Sequence, residues 1–210
     1  MTKWDYGPEG RAYPVERGQA WECGSHLFVC ASAFQVNHPR PPFLVYSDPP
    51  WNQGNLASFH TKAGLTPPGF TWLDLYRRVI WLAAGGPCFI EGGTRQAGAV
   101  AAECAGRGIY RQWPITYYRR QPAVLHYCGP ELPDGLDPTG VDDDFTPGLV
   151  LNAYERATVL DPCAGRGVTS RAAQLAGWAS VNVEIHPRRL SAALARMHSL
   201  TGNDPMRSTL

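Results

Sequence analysis

The feature that most constrains this chain is an alternation of short apolar runs, bounded by turn residues, with segments of helical spacing. Strands are predicted at 27–32, 43–47, 88–91, 109–118, 123–128, 158–161 and 180–184. Between them, Trp72, Tyr76, Val79, Ile80 and Ala83 share one helical face that stops at Gly85-Gly86, and a second helix over 167–176 stops at Gly177. An Ala-rich stretch at 96–105 and a stretch at 187–199, with proline in its first turn, are further helices. Such alternation predicts a mostly parallel sheet covered on both faces. One pair must differ. The runs 109–118 and 123–128 are joined only by Arg119-Arg120-Gln121-Pro122, too short for a crossover, so they form a hairpin and one strand runs antiparallel.

At 210 residues and 44% hydrophobic content, the chain fits one domain over residues 1–210. No apolar run is long enough to cross a bilayer, and the first five residues lack the layout of a secretory signal, so the expectation is a cytoplasmic protein without a membrane partner. The six cysteines contain no Cys-x-x-Cys pair and sit mostly in apolar runs, which predicts buried reduced thiols and no metal site. A net charge of +1 gives no bulk field for a polyanion, so any nucleic-acid contact has to come from local patches such as Arg107, Arg111, Arg119 and Arg120, or from a partner. Two stretches lack regular pattern. Residues 51–71 carry Gly54, Gly64, Pro67-Pro68 and Gly69 and are predicted to be a long mobile loop over a strand end. Residues 129–146, which include Asp142-Asp143-Asp144, are predicted to link a first half at 27–128 to a second at 147–199.

Asp48-Pro49-Pro50-Trp51 directly follows the strand at 43–47, which puts it at the carboxyl end of a sheet strand, where open α/β folds bind ligands. These residue types suit transfer to an aromatic amine, whose lone pair is delocalised into its ring. A carboxylate and a main-chain carbonyl can accept hydrogen bonds from the two N–H groups and favour a pyramidal, nucleophilic nitrogen. Asp48 and the Pro49 carbonyl supply those acceptors, the two prolines hold the backbone extended, and Trp51 offers a flat face for a base. The plainer account is a strand-ending turn with a packing tryptophan.

A second constellation runs from Asp161 through Pro162, Cys163, Gly165 and Gly167 into a helix, and the next strand ends in Glu184, about 20 residues on. The glycines permit positive φ and close approach of a ligand, and the terminal acid stands where ribose hydroxyls are gripped in nucleotide-binding βαβ units. The turn lacks the lysine of a P-loop and the fuller glycine spacing of a dinucleotide fold, which favours S-adenosyl-L-methionine over ATP or NAD, with Asp161 toward the cofactor's amino-acid end.

With both constellations in view, the chain resembles the amino-methyltransferases of DNA and RNA over most of residues 27–199. That family's signatures are Asp/Asn-Pro-Pro-Trp/Tyr, here Asp48 to Trp51, and Asp-Pro-x-x-Gly-x-Gly, here Asp161 to Gly167. The order, catalytic half before cofactor half, resembles the permuted β group. The resemblance implies a Rossmann-like, seven-stranded α/β sheet, mostly parallel with one antiparallel edge hairpin, and S-adenosyl-L-methionine as cofactor. It implies methylation of an exocyclic amine, foremost N6 of adenine in DNA, with N4 of cytosine or RNA adenine as alternatives. It also places the segment before the cofactor turn near the methionine carboxylate, where only Thr146 is carried over because the usual lysine is missing. Arg166 stands where the family has a small residue, and an acidic linker replaces the usual recognition insert, so target reading by loops and a homodimer partner is expected. A methyltransferase-like binding module without activity is the rival class.

Overall fold

The computed structural model describes residues 13–36 and 43–208. In chain order the elements are β1 (Ala20–Cys23), β2 (His26–Val29), β3 (Leu44–Ser47), α1 (Gln53–Lys62), α2 (Trp72–Leu82), β4 (Cys88–Gly93), α3 (Ala97–Cys104), β5 (Ile109–Tyr117), β6 (Gln121–Gly129), α4 (Thr146–Asn152), β7 (Thr158–Asp161), α5 (Val168–Ala176), β8 (Ala179–Val183), α6 (Pro187–Thr201) and β9 (Met206–Ser208). Every predicted strand and helix has its counterpart, with ends that differ by a few residues.

One sheet has the order β5-β6-β4-β3-β7-β8-β2-β1-β9. Its middle is parallel: β4 pairs β3, β3 pairs β7, β7 pairs β8 and β8 pairs β2 in the same sense. The predicted hairpin is present, with β6 antiparallel to both β5 and β4. Among the described residues the expected count of seven strands is corrected to nine, and the expectation of one antiparallel edge is corrected to two. β1 returns antiparallel onto β2, and β9 then adds antiparallel to β1. Neither strand announces itself in the sequence. β1 is four residues long, and β9 is largely exposed and exists because β1 offers an open edge.

Two irregular segments are also corrected. The stretch 51–71 is not a loop throughout: Asn52 caps α1 by accepting from the Asn55 amide at 2.9 Å, and ten residues are helical. The acidic stretch 129–146 is held to the sheet edge. Thr116 forms an isolated parallel bridge to Asp142, the Asp143 amide donates to the Thr116 carbonyl, and α4 begins at Thr146.

Each strand residue is assigned a face by the pleat. In β3, Val45 packs with Ile90, Leu160 and Val183 under α2 and α3, whereas Leu44 and Tyr46 pack with Phe89, Leu125 and Val159 under α4 and α5. A third cluster joins Trp21 and Phe28 to Leu190, Leu194 and Met197 of α6. Both faces of the sheet are thus covered, as a parallel sheet requires. α2 starts with a capping box between Thr71 and Asp74, and α5 ends at Gly177 in the left-handed conformation. Trp21 and Trp178 are buried in these clusters, whereas Trp81 is 56% exposed.

α5 and α6 approach closely at Gly167, which has φ of 77°. A Cβ there would stand 2.7 Å from Ser170 Oγ and 3.0 Å from the Ala193 Cβ. Gly167→Ala is therefore expected to destabilise the fold by about 1–3 kcal/mol through overpacking and backbone strain. Urea denaturation with an unchanged midpoint would show that the two helices do not depend on this glycine.

Candidate functional site

β3 and β7 are adjacent and parallel, so their carboxyl ends, carrying Asp48 and Asp161, emerge on the same edge of the sheet. They are also the point at which the chain's path reverses, since β3 continues outward to β4 and β7 continues the other way to β8. A crevice at such a switch point is the standard ligand site of an open α/β sheet. Here it is a cavity of about 400 Å³. Asp48, Pro49, Pro50, Trp51, Asp161, Pro162, Cys163, Gly165 and Glu184 all line it. Two of the residues expected at the cofactor do not. Gly167 is consumed by helix packing, and Thr146 is fully buried with its hydroxyl donating to the Asp142 carbonyl at 2.9 Å.

Asp48 is held by two donors. Trp51 Nε1–H donates to Oδ1 at 2.8 Å and the Tyr117 hydroxyl donates to Oδ2 at 3.2 Å. Burial pushes the carboxyl up to about 6, against the lowering effect of those two bonds and of Arg189. Trp51 leans on Tyr117 with ring centroids 4.5 Å apart, and Gly93 leaves it room, because a Cβ there would meet the indole at 2.9 Å.

At the other end, Asp161 accepts from the Ser47 hydroxyl, the Cys163 amide and the Thr169 hydroxyl at 3.1, 3.0 and 2.6 Å. Burial nevertheless raises it to about 6. Glu184 accepts from the Gly165 amide at 2.8 Å and the His186 amide at 2.7 Å, and burial raises it to about 7. Gly165 has φ of 54°, and the space where a Cβ would stand is open to within 3.9 Å. The turn is thus shaped around a space, with a carboxylate anchored at its side.

Several lining residues were not singled out from the sequence as site residues: Tyr117, Glu91, Asp143, Arg189 and Phe59. Glu91 had the same signal as Asp48, an acid at the end of an apolar strand. Tyr117 and Asp143 had none, because only the hairpin and the Thr116 bridge bring them to the cavity. Ser32, His60 and Arg166 also line the cavity. Arg111 is exposed on β5, with its guanidinium donating to the Tyr110 carbonyl at 2.9 Å. Five cysteines are buried and Cys163 is half-buried at the cavity. Among the described residues, no group of three or more His, Cys, Asp or Glu side chains suits a metal ion, and no helix is long and apolar enough to cross a membrane.

The sequence matches no protein-family model and no curated protein sequence. Solved structures do match. M1.HpyAVI in complex with SAM superposes with a TM-score of 0.57 at 15% identity, covering 81% of this chain and 98% of that one. TTHA0409 of Thermus thermophilus, described as a candidate DNA modification methylase and crystallised with S-adenosyl-L-methionine, gives 0.55 at 18% identity, with 80% and 90% covered. The cytosine-N4-specific PvuII DNA methyltransferase gives 0.59 at 9% identity, with 87% and 89% covered. The chain therefore has the fold of these proteins across most of its length and most of theirs.

Because Tyr117 donates to Asp48 and lowers its pKa, Tyr117→Phe is expected to move the Asp48 titration upward from about 6. Carboxyl-detected NMR titration of the two proteins measures this, and an unmoved or lowered midpoint would remove the bond from the site's electrostatics.

Proposed function

We propose that this chain is an S-adenosyl-L-methionine-dependent methyltransferase that acts on an exocyclic amino group of DNA, N6 of adenine. The observation that carries this reading is the sharing of one cavity by the Asp48 carboxylate with its Pro-Pro-Trp backbone and by the Gly165–Glu184 cradle. Support also comes from the fold shared with proteins described as DNA methyltransferases, two of them determined with this cofactor. We take the order of Asp48 before Asp161 as the permuted order of the β group.

The cradle fits the cofactor. Glu184 keeps free lone pairs on two oxygens that are already oriented by backbone amides, which suits ribose hydroxyls, and Gly165 leaves space where any side chain would intrude. Asp161 has three protein partners and fixes the turn and its relation to β3. S-adenosyl-L-methionine, when bound, supplies a methyl group activated on a sulfonium sulfur. The protein's part lies on the amine. Asp48 and the Pro49 carbonyl accept its two hydrogens and turn the nitrogen lone pair toward the donor. The Asp48 carboxylate then holds the proton that the methylated nitrogen sheds. An adenine within a duplex hides this amine, so the base has to be flipped out or arrive single-stranded, where Trp51 and Tyr117 offer aromatic surface. The cytosine-N4 specificity in the PvuII enzyme's description favours N4 of cytosine as the second reading.

Incubation with labelled S-adenosyl-L-methionine and mixed DNA and RNA, followed by nucleoside analysis, is expected to yield N6-methyldeoxyadenosine. Asp48→Ala is expected to lower turnover by roughly 100-fold or more with cofactor affinity nearly intact. Gly165→Val, with a branched side chain at positive φ and in the cavity, is expected to lower cofactor affinity at least about tenfold by calorimetry. Label in none of the nucleic acids, or wild-type turnover in Asp48→Ala, would overturn the reading.

A further inference from the structure

Glu91 is the last strongly polar residue of β4 before Gly92-Gly93, and it faces the same side of the sheet as Tyr46 of β3. Its side chain is 2% exposed yet lines the cavity. The Tyr46 hydroxyl donates to Oε1 at 2.6 Å, while Oε2 has no hydrogen-bond partner. A buried polar atom left bare costs on the order of 1–3 kcal/mol, and one in a residue that lines a cavity can be satisfied by a ligand there. Burial, followed by the charge of Asp48, drives the Glu91 pKa well above the ordinary glutamate value, so its neutral form carries the proton on the oxygen that Tyr46 leaves free. A neutral Glu91 would offer an O–H donor in the cavity that the Asp48 carboxylate also lines.

We propose that Glu91 reads the target base by donating a hydrogen bond from Oε2 to the ring nitrogen next to the reacting amine, N1 of adenine or, on the second reading, N3 of cytosine. This rests on the methyltransferase reading above. The pair of an acceptor for the amine and a donor for the neighbouring ring nitrogen matches the amidine edge that adenine and cytosine share. Thymine presents the reverse, a ring N–H beside a carbonyl, and would leave both groups of the site facing like groups. Tyr46 acts as the positioning residue, since its hydroxyl decides which oxygen of Glu91 faces the base.

The test compares kcat/KM on oligonucleotides that contain adenine, 1-deazaadenine or 7-deazaadenine at the methylated position, with 3-deazacytosine in their place if cytosine is the base methylated. Wild type is expected to lose about tenfold or more on 1-deazaadenine, the loss of one buried hydrogen bond, and little on 7-deazaadenine. Glu91→Leu is expected to act on adenine and 1-deazaadenine alike, within about twofold, with unchanged cofactor affinity by calorimetry. Glu91→Gln, which keeps an acceptor for Tyr46 and a donor for the base, is expected to retain the preference. Equal wild-type rates on adenine and 1-deazaadenine would overturn the assignment without any variant. So would a Glu91→Leu enzyme that still discriminates, or one whose loss lies in cofactor affinity. No transfer by wild type to any oligonucleotide would instead overturn the methyltransferase reading, and this role with it.

Discussion

The carboxylate of Asp161 is the joint on which the rest of the site depends. It accepts from Ser47 at the end of β3, from the Cys163 amide in the turn that follows its own strand, and from Thr169 in α5. The end of β3, 114 residues away in sequence, is thereby held to the turn and to α5 around one buried carboxylate, and such a group is tolerable only when it is hydrogen-bonded in this way. The bond to Ser47 matters most, because Asp48 is the next residue. The spacing between the two halves of the cavity is fixed by the pairing of β3 with β7 and by this hydroxyl-to-carboxylate contact, before any ligand arrives.

The opposite wall is built by a longer route. β5 and β6 form a hairpin whose end brings Tyr117 to Asp48, and the stretch after β6 returns to pair Asp142 with Thr116. That return delivers Asp143 to the cavity, where burial and its acidic neighbours push its carboxyl up to about 7. What reads in sequence as an acidic linker is thus part of the wall. Gly93 completes the arrangement by leaving the indole of Trp51 its place against Tyr117.

The sequence carried the parallel core well because buried strands write themselves as apolar runs, and Gly177 and Thr71 mark helix ends by chemistry that tertiary context rarely overrides. It did not carry elements that exist through their partners. β9 has no apolar pattern and forms because β1 presents an edge. α1 buries only Leu56 and His60 and contains Gly54, so its one legible signal was the Asn52 cap. The same division holds at the cavity. Asp48, Gly165 and Glu184 could be read from residue type and position at strand ends, whereas Tyr117 and Asp143 reach the cavity by register and by a return of the chain, which spacing along the sequence does not encode.

The crowding of acids in this cavity has a consequence for any cation that enters it. Burial raises Asp48 and Asp161 to about 6 and Asp143 and Glu184 to about 7. A cation bound among them would lower those values together, and at neutral pH its arrival would release protons into the solvent. Affinity for such a ligand therefore carries a proton stoichiometry, and it rises with pH through the range in which these carboxyls titrate. Arg189 lines the same cavity, and its charge lowers Asp48 and Glu184 and holds this bias in check. A cavity lined in this way would trade hydrogen ions for a positively charged guest.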